Sequence, residues 1–247
     1  MAYSENIILT EQEQQEIIKM YKECVTELHS TTKKMVEELH TLVTETKYKD
    51  ILDKSNIMVD FYNTKLSLII KKHFSNWVEE DGSLHKVVDL NEGGSSAVSC
   101  AKKLEKNLEA EIDGLFATKI PEIKVDTSEV NMNPERYEEF KNSVVKYSQE
   151  LDNLIITYKG KIDGNYDNNL LWGTIYGPVM STLKSTQGEF NNLTTIFGDW
   201  REEYLSRTRE SKSKIENMRS QIDVAIANDT SNFVESLRSL SGLPRTR

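Results

Sequence analysis

Apolar residues near the start of this chain recur at alternating steps of three and four. From Ile18 they run through Tyr21, Val25, Leu28, Thr32, Met35, Leu39 and Leu42, a seam held for more than three heptads with one polar interruption at Thr32. Thr10 and Glu13 precede it with the spacing of a capping box, each side chain placed to satisfy a backbone N–H that the first turn leaves unpaired. No glycine or proline falls between Thr10 and Lys54, so the pattern predicts a helix of about 35 residues, about 50 Å long. A rod of that length needs a long partner. Ser55 to Glu80 supplies one, because Met58, Phe61, Tyr62, Leu66, Ile69, Ile70, Phe74 and Trp77 make a broad apolar face. The polar connector Glu45 to Lys54 reads as a helical hairpin turn. Asp81 and Gly82 end the second helix, and Asn91 to Ser96 reads as a loop. Ser95 or Ser96 then caps a third helix carrying Ala97, Ala101, Leu104, Leu108, Ile112 and Leu115.

Residues 119–133 break the pattern. Pro121, the isolated Ile123 and Val125, and Asn131 to Asn133 carry no helical stripe, which reads as a linker between a first half, 1–118, and a second, 134–247. Asn133 and Pro134 mark a new start, with Asn as N-cap and Pro in the first helical position. The fourth helix then has Tyr137, Phe140, Val144, Tyr147, Leu151, Leu154 and Tyr158, again stepping three and four. An offset of 123 residues lays this seam on the first helix in phase. The same offset carries Phe197-Gly198-Asp199-Trp200 onto Phe74-Ser75-Asn76-Trp77, each followed by paired acids near the end of its second helix. A tandem repeat explains this, as do two independent long hairpins that share a phase. The pairs Phe74/Trp77 and Phe197/Trp200 read as core packing, since aromatics three apart share one helix face.

Gly160 to Asn169 is rich in turn residues and predicts the end of the fourth helix. Leu170 to Pro178 follows, with bulky residues interleaved with Gly173, Gly177 and Pro178. Small residues let a chain turn closely, so this stretch reads as a hairpin tip with Trp172 plugging the end and Tyr176 beside it. A fifth helix from about Pro178 carries Met180, Leu183, Phe190, Leu193, Phe197 and Trp200. Between Leu205 and Ile215 the cations Arg207, Arg209, Lys212 and Lys214 accompany one acid, Glu210, and no apolar residue. Two readings fit: a solvated helix face, or a docking face for an acidic partner or a second copy of the chain. Ile215, Met218, Ile222 and Ile226 resume the stripe, and Phe233 and Val234 belong to a short last helix. The expected fold is all-α: an elongated antiparallel helical bundle or coiled coil built from two long helical hairpins.

Composition sharpens this picture chiefly by exclusion. Only 11 glycines and 4 prolines occur in 247 residues, too few for a turn-dense β sandwich or barrel. A net charge of −9 gives no general attraction to phosphate backbones, so nucleic acid is not an expected partner. No run approaches 18 apolar residues, which argues against stable membrane insertion, and Met1 to Thr10 shows no Sec-type signal. Cys24 and Cys100 lie on apolar stripes as free thiols or a single disulfide. Glu37 with His40 is the one Glu-x-x-His pair, and a di-metal bundle site needs two. No phosphate-binding glycine loop and no G-x-S-x-G elbow is present. The carboxylates fall in runs on polar helix faces, as at Glu37-Glu38 and Glu138-Glu139. The expectation is a protein with no enzymatic activity and no catalytic, cofactor or metal residues.

A long helix, a turn bearing Trp172-Gly173 and Tyr176-Gly177, and a second long antiparallel helix, all in an acidic chain, together resemble the W-x-G type helical hairpins exported by type VII secretion systems. That family places one residue between Trp and Gly, whereas Trp172 and Gly173 are adjacent. Its Tyr-x-x-x-Asp/Glu export tail has no counterpart after Tyr204, where the fourth residue is Thr208. The resemblance implies a protein secreted without a Sec signal, or an effector-targeting partner, with the two hairpins fused as a pseudo-dimer. The competing class is a cytoplasmic coiled-coil scaffold or adaptor that binds another helical protein or itself. A helical pore-forming toxin is a third class, and the apolar runs Leu66–Ile70 and Val224–Ala227 are short for it.

Overall fold

The computed structural model describes residues 7–47, 49–89, 95–126 and 134–241. Among these residues every regular element is helical, as the stripes predict. The expected Asn133 cap and residues 91–94 of the expected loop Asn91–Ser96 lie outside the described residues, and Ser95 and Ser96 are already helical. Two units divide the chain, Met1–Gly198 and Asp199–Arg247.

In the first unit α1 (Glu11–Thr46) starts where predicted, and Thr10 Oγ1 accepts the Glu13 N–H at 3.2 Å. It stops at Lys47, whose backbone turns left-handed (φ 53°) and donates its N–H to the Val43 carbonyl. The next path inward is α2 (Lys49–Asp60), a π turn (Phe61–Lys65) and α3 (Leu66–Val78). The π turn is closed by the Leu66 N–H donating to the Phe61 carbonyl, five residues back. One extra residue in the turn lets consecutive aromatics, Phe61 and Tyr62, both face the core, where each is about 1% exposed. At the end of α3 the chain folds sharply over its own last carbonyls. A Cβ on Gly82 would stand 2.6 Å from the Asn76 oxygen and 2.8 Å from that of Glu79, so only glycine fits there. Short α4 (Ser83–Asp89) follows, then α5 (Ser95–Leu115).

The described part of the expected linker, through Asp126, has no helix and is held to the preceding helices by side-chain amides. Asn63 accepts the Ile120 N–H at Oδ1 (3.0 Å) and donates Nδ2 to the Ile120 carbonyl (2.8 Å). Asn56 holds Ile123 in the same two-bond manner, at 2.8 and 3.1 Å. An amide side chain thus supplies the pairing that a neighbouring strand would give, and Ile120 and Ile123 are buried. Two long helices on either side of that stretch also pack on each other. Helix α6 (Pro134–Tyr166) lies against α1, cross-linked by Arg136 to Glu45 (3.1 Å), Lys146 to Glu38 (3.1 Å) and Lys161 to Glu23 (3.2 Å). As the α6 number rises the α1 number falls, so the two helices are antiparallel.

Helix α6 runs past Gly160 and Gly164, where the turn residues predicted a stop. Buried Ile162 gives that extra length something to pack, and neither glycine meets any atom within 4 Å of a built Cβ. Helix α7 (Leu171–Thr174) makes the turn, and α8 spans Tyr176–Ser241. Its part in the first unit buries Val179, Leu183, Phe190, Leu193 and Phe197. The second unit, from Asp199, is helical through Ser241, and every described side chain from Ser206 to Ser236 in it is exposed.

Candidate interaction surfaces

The tip around α7 is a hub rather than a free end. Trp172 is buried, and its indole N–H donates to the Glu13 carboxylate in the first turn of α1. Buried Asn169 accepts the Ile8 and Leu171 N–H groups at 3.0 Å each and donates to the Ile8 carbonyl at 3.1 Å, a third amide of the kind seen at Asn56 and Asn63. From the other side Trp77 donates Nε1–H to Thr174 Oγ1 at 2.6 Å, and Ser83 donates to the Thr174 carbonyl at 2.6 Å. The two tryptophans therefore tie the ends of α1 and α3 to one short helix. Each indole N–H has a partner, the condition for burying that ring without penalty.

Gly173 has a steric reason to be glycine, since a Cβ there would stand 2.7 Å from Cε2 of the Tyr166 ring. Gly177 has none, with no atom within 4 Å, and Tyr176 beside it is exposed. Of the repeated aromatics, Phe74 packs between Tyr21 (4.9 Å between centroids) and Trp77 (5.6 Å). Phe197 packs on Phe140 at 5.4 Å, and Trp200 belongs to the second unit, half-buried. Buried Tyr21 also donates to the Ile70 carbonyl at 3.0 Å and lies 3.2 Å from Thr182 Oγ1. Burial pushes its phenol far above the ordinary range.

A few buried groups in this unit are shifted by packing. Burial pushes the Cys24 thiol well up, so it is held as an inert thiol, and Cys100, half-buried, is likewise unbridged. At His29, burial and then Lys33 lower the imidazole from its ordinary value, against the Leu115 carbonyl that takes one ring N–H. The remaining nitrogen, Nε2, accepts the Tyr62 hydroxyl at 2.7 Å, and the ring meets Phe116 edge-on at 4.8 Å. Among the described residues no three His, Cys, Asp or Glu side chains converge as a metal site.

In the second unit Arg207, Arg209, Lys212 and Lys214 are all exposed. Arg207 pairs with Glu203, and Lys212 with Glu216 at 3.9 Å. Helical spacing does not bring the four together: Arg207 and Lys214, seven apart, share one side, while Arg209 and Lys212 lie on another. What shares a face is apolar. Ile215, Met218, Ile222, Ile226 and Phe233 stand 60%, 56%, 58%, 59% and 63% exposed, within an arc of about 80° of one another on a straight helix. The periodicity of this stripe was visible in the sequence, but its exposure was not, because an amphipathic pattern says which residues share a face and not whether a neighbour covers them. The asparagines at 56, 63 and 169 carry no local signal of their role beyond the seven-residue spacing of the first two, which places them on a common face. Compared with family models, curated proteins and solved structures, the chain matches none.

Proposed function

We propose that this chain is a non-enzymatic helical interaction protein that docks a helical partner, another protein or a second copy of itself, along the apolar stripe of its second unit. The observation that carries the reading is the exposure of Ile215, Met218, Ile222, Ile226 and Phe233 on one face. A contiguous apolar face left in water is a liability unless something covers it. A lone helix is also marginal in water, and an amphipathic one gains most of its stability from packing that face. Among the described residues no helix is long and apolar enough to cross a membrane. With the acidic balance of the chain, that leaves stable membrane insertion and nucleic acid outside the proposal.

The first unit is in this reading a tandem pair of hairpins in which α1 with α2–α3 corresponds to α6 with the start of α8. In support, Phe74 and its offset mate Phe197 are both buried against an aromatic of the preceding long helix, Tyr21 and Phe140. The narrower class is a type VII secretion substrate or effector-targeting partner, resting on the tip Trp172-Gly173-Thr174-Ile175-Tyr176-Gly177.

Affinity capture with the intact protein and with Ile222→Asp tests the main reading. Specific partners should be lost with the variant while the thermal unfolding of the first unit stays the same; identical capture by both proteins would refute docking on the stripe. Export is tested separately. The protein should accumulate in culture supernatant and be retained when the type VII ATPase is deleted, whereas retention in both strains returns it to the scaffold class.

A further inference from the structure

The charges flanking the stripe select its occupant. Between Arg207 and Arg219 the helix carries five cations (Arg207, Arg209, Lys212, Lys214, Arg219) and two acids (Glu210, Glu216). From Ser220 to its end at Ser241 it carries three acids (Asp223, Asp229, Glu235) and one cation (Arg238). The segment is thus positive at one end and negative at the other, with the apolar stripe running through both. We propose, resting on the docking reading above, that the partner is a second copy of this chain, paired antiparallel through this stripe about a two-fold axis at Ile222.

Antiparallel pairing lays each basic end on the acidic end of the other copy, whereas parallel pairing in register sets cation on cation and acid on acid. With the axis at Ile222 the centre of the stripe matches, while Ile215 falls opposite Asp229 and Phe233 opposite Ser211 of the second copy. Ile222 meets its own copy, and Met218 meets Ile226 of the second copy, twice by symmetry. On one flank Arg219 comes beside Asp223 of the second copy, because in a two-fold antiparallel pair each flank faces its own counterpart. Asp229, the polar residue interrupting the stripe, comes within a turn of the second copy's Lys212.

The test uses the intact protein. Light scattering after size exclusion should show mass doubling as concentration rises, and Ile222→Asp should abolish the doubling while the first unit keeps its cooperative thermal unfolding. Single cysteines then fix the direction, in a Cys100→Ser background so that the half-buried native thiol cannot interfere. Ile222→Cys should oxidise to a covalent dimer on its own. Met218→Cys and Ile226→Cys should each fail alone and cross-link when mixed. Arg219→Glu should weaken the dimer about two- to fivefold, and adding Asp223→Arg should restore it. Covalent dimers from all three single cysteines would mean parallel pairing and overturn the proposal. A monomer at every concentration would overturn it too, but the docking reading would survive if Ile222→Asp still lost a different captured partner. Dimerisation undiminished by Ile222→Asp, with unchanged capture, would defeat both.

Discussion

Two glycines separate what the backbone requires from what it tolerates. Gly82 sits where any Cβ would collide with three main-chain oxygens of the α3 terminus, and main chain at a helix end cannot swing aside as a side-chain tip can. Gly82→Ala should therefore lower stability by about 1–3 kcal/mol, the scale of local backbone strain. Gly160, in the interior of α6 with nothing within 4 Å of its built Cβ, carries only the entropic cost of glycine in a helix. Gly160→Ala should raise stability by about 0.5–1 kcal/mol. Urea unfolding of both variants checks the pair, and equal signs would contradict the steric argument. Trp172 is the third residue-scale case. It is buried and donates to Glu13, so Trp172→Ala should cost about 3–5 kcal/mol. Unaltered thermal unfolding would place the ring in solvent.

At the scale of elements, His29 joins three of them: its own α1, the π turn through Tyr62 and the end of α5 through Leu115. Its imidazole is lowered from about 6.5, chiefly by burial, so the unfolded chain binds the proton more readily than the folded one. Stability should be full above about pH 6.5 and fall as pH drops through the lowered value. His73, also lowered by burial and then by Lys72, acts in the same window. His29→Gln should flatten the slope of unfolding free energy between pH 7 and 5 without abolishing it, His73 supplying the remainder. Glu38 acts lower. Burial pushes its carboxyl up, but hydrogen bonds from Tyr147, Ser143 and Lys146 outweigh that and lower it, so its contribution is lost only as pH falls below the usual carboxylate range. These joints also mark how far the sequence could be read. The stripes of α1 and α6 were legible because a repeat of three and four is local. The Asn63 grip on Ile120 and the Thr174 bond to Trp77 link positions 57 and 97 residues apart, and no local pattern encodes which distant backbone an amide will meet. Gly160 misled for a related reason: glycine weakens a helix locally, and Ile162 burying its side chain decides otherwise.

The molecule as a whole divides its stability unequally. The first unit buries aromatic side chains from α1, the π turn, α3, α6 and α8 together, so its helices open only at the cost of a shared core. The second has its described side chains exposed from Ser206 onward, and a helix without tertiary packing opens at little free-energy cost. Proteolysis reads this difference directly, since a protease cuts the opened backbone. Trypsin should cleave first among Arg207, Arg209, Lys212, Lys214 and Arg219, leaving the first unit as a long-lived fragment although that unit holds many exposed lysines. If the acidic half of one copy covers the basic half of another, those early cuts should slow as protein concentration rises at a fixed ratio of protease to substrate, and Ile222→Asp should remove the dependence. Early cleavage within α1 or α6 would mean that the first unit is not the stable core, whatever the second one binds.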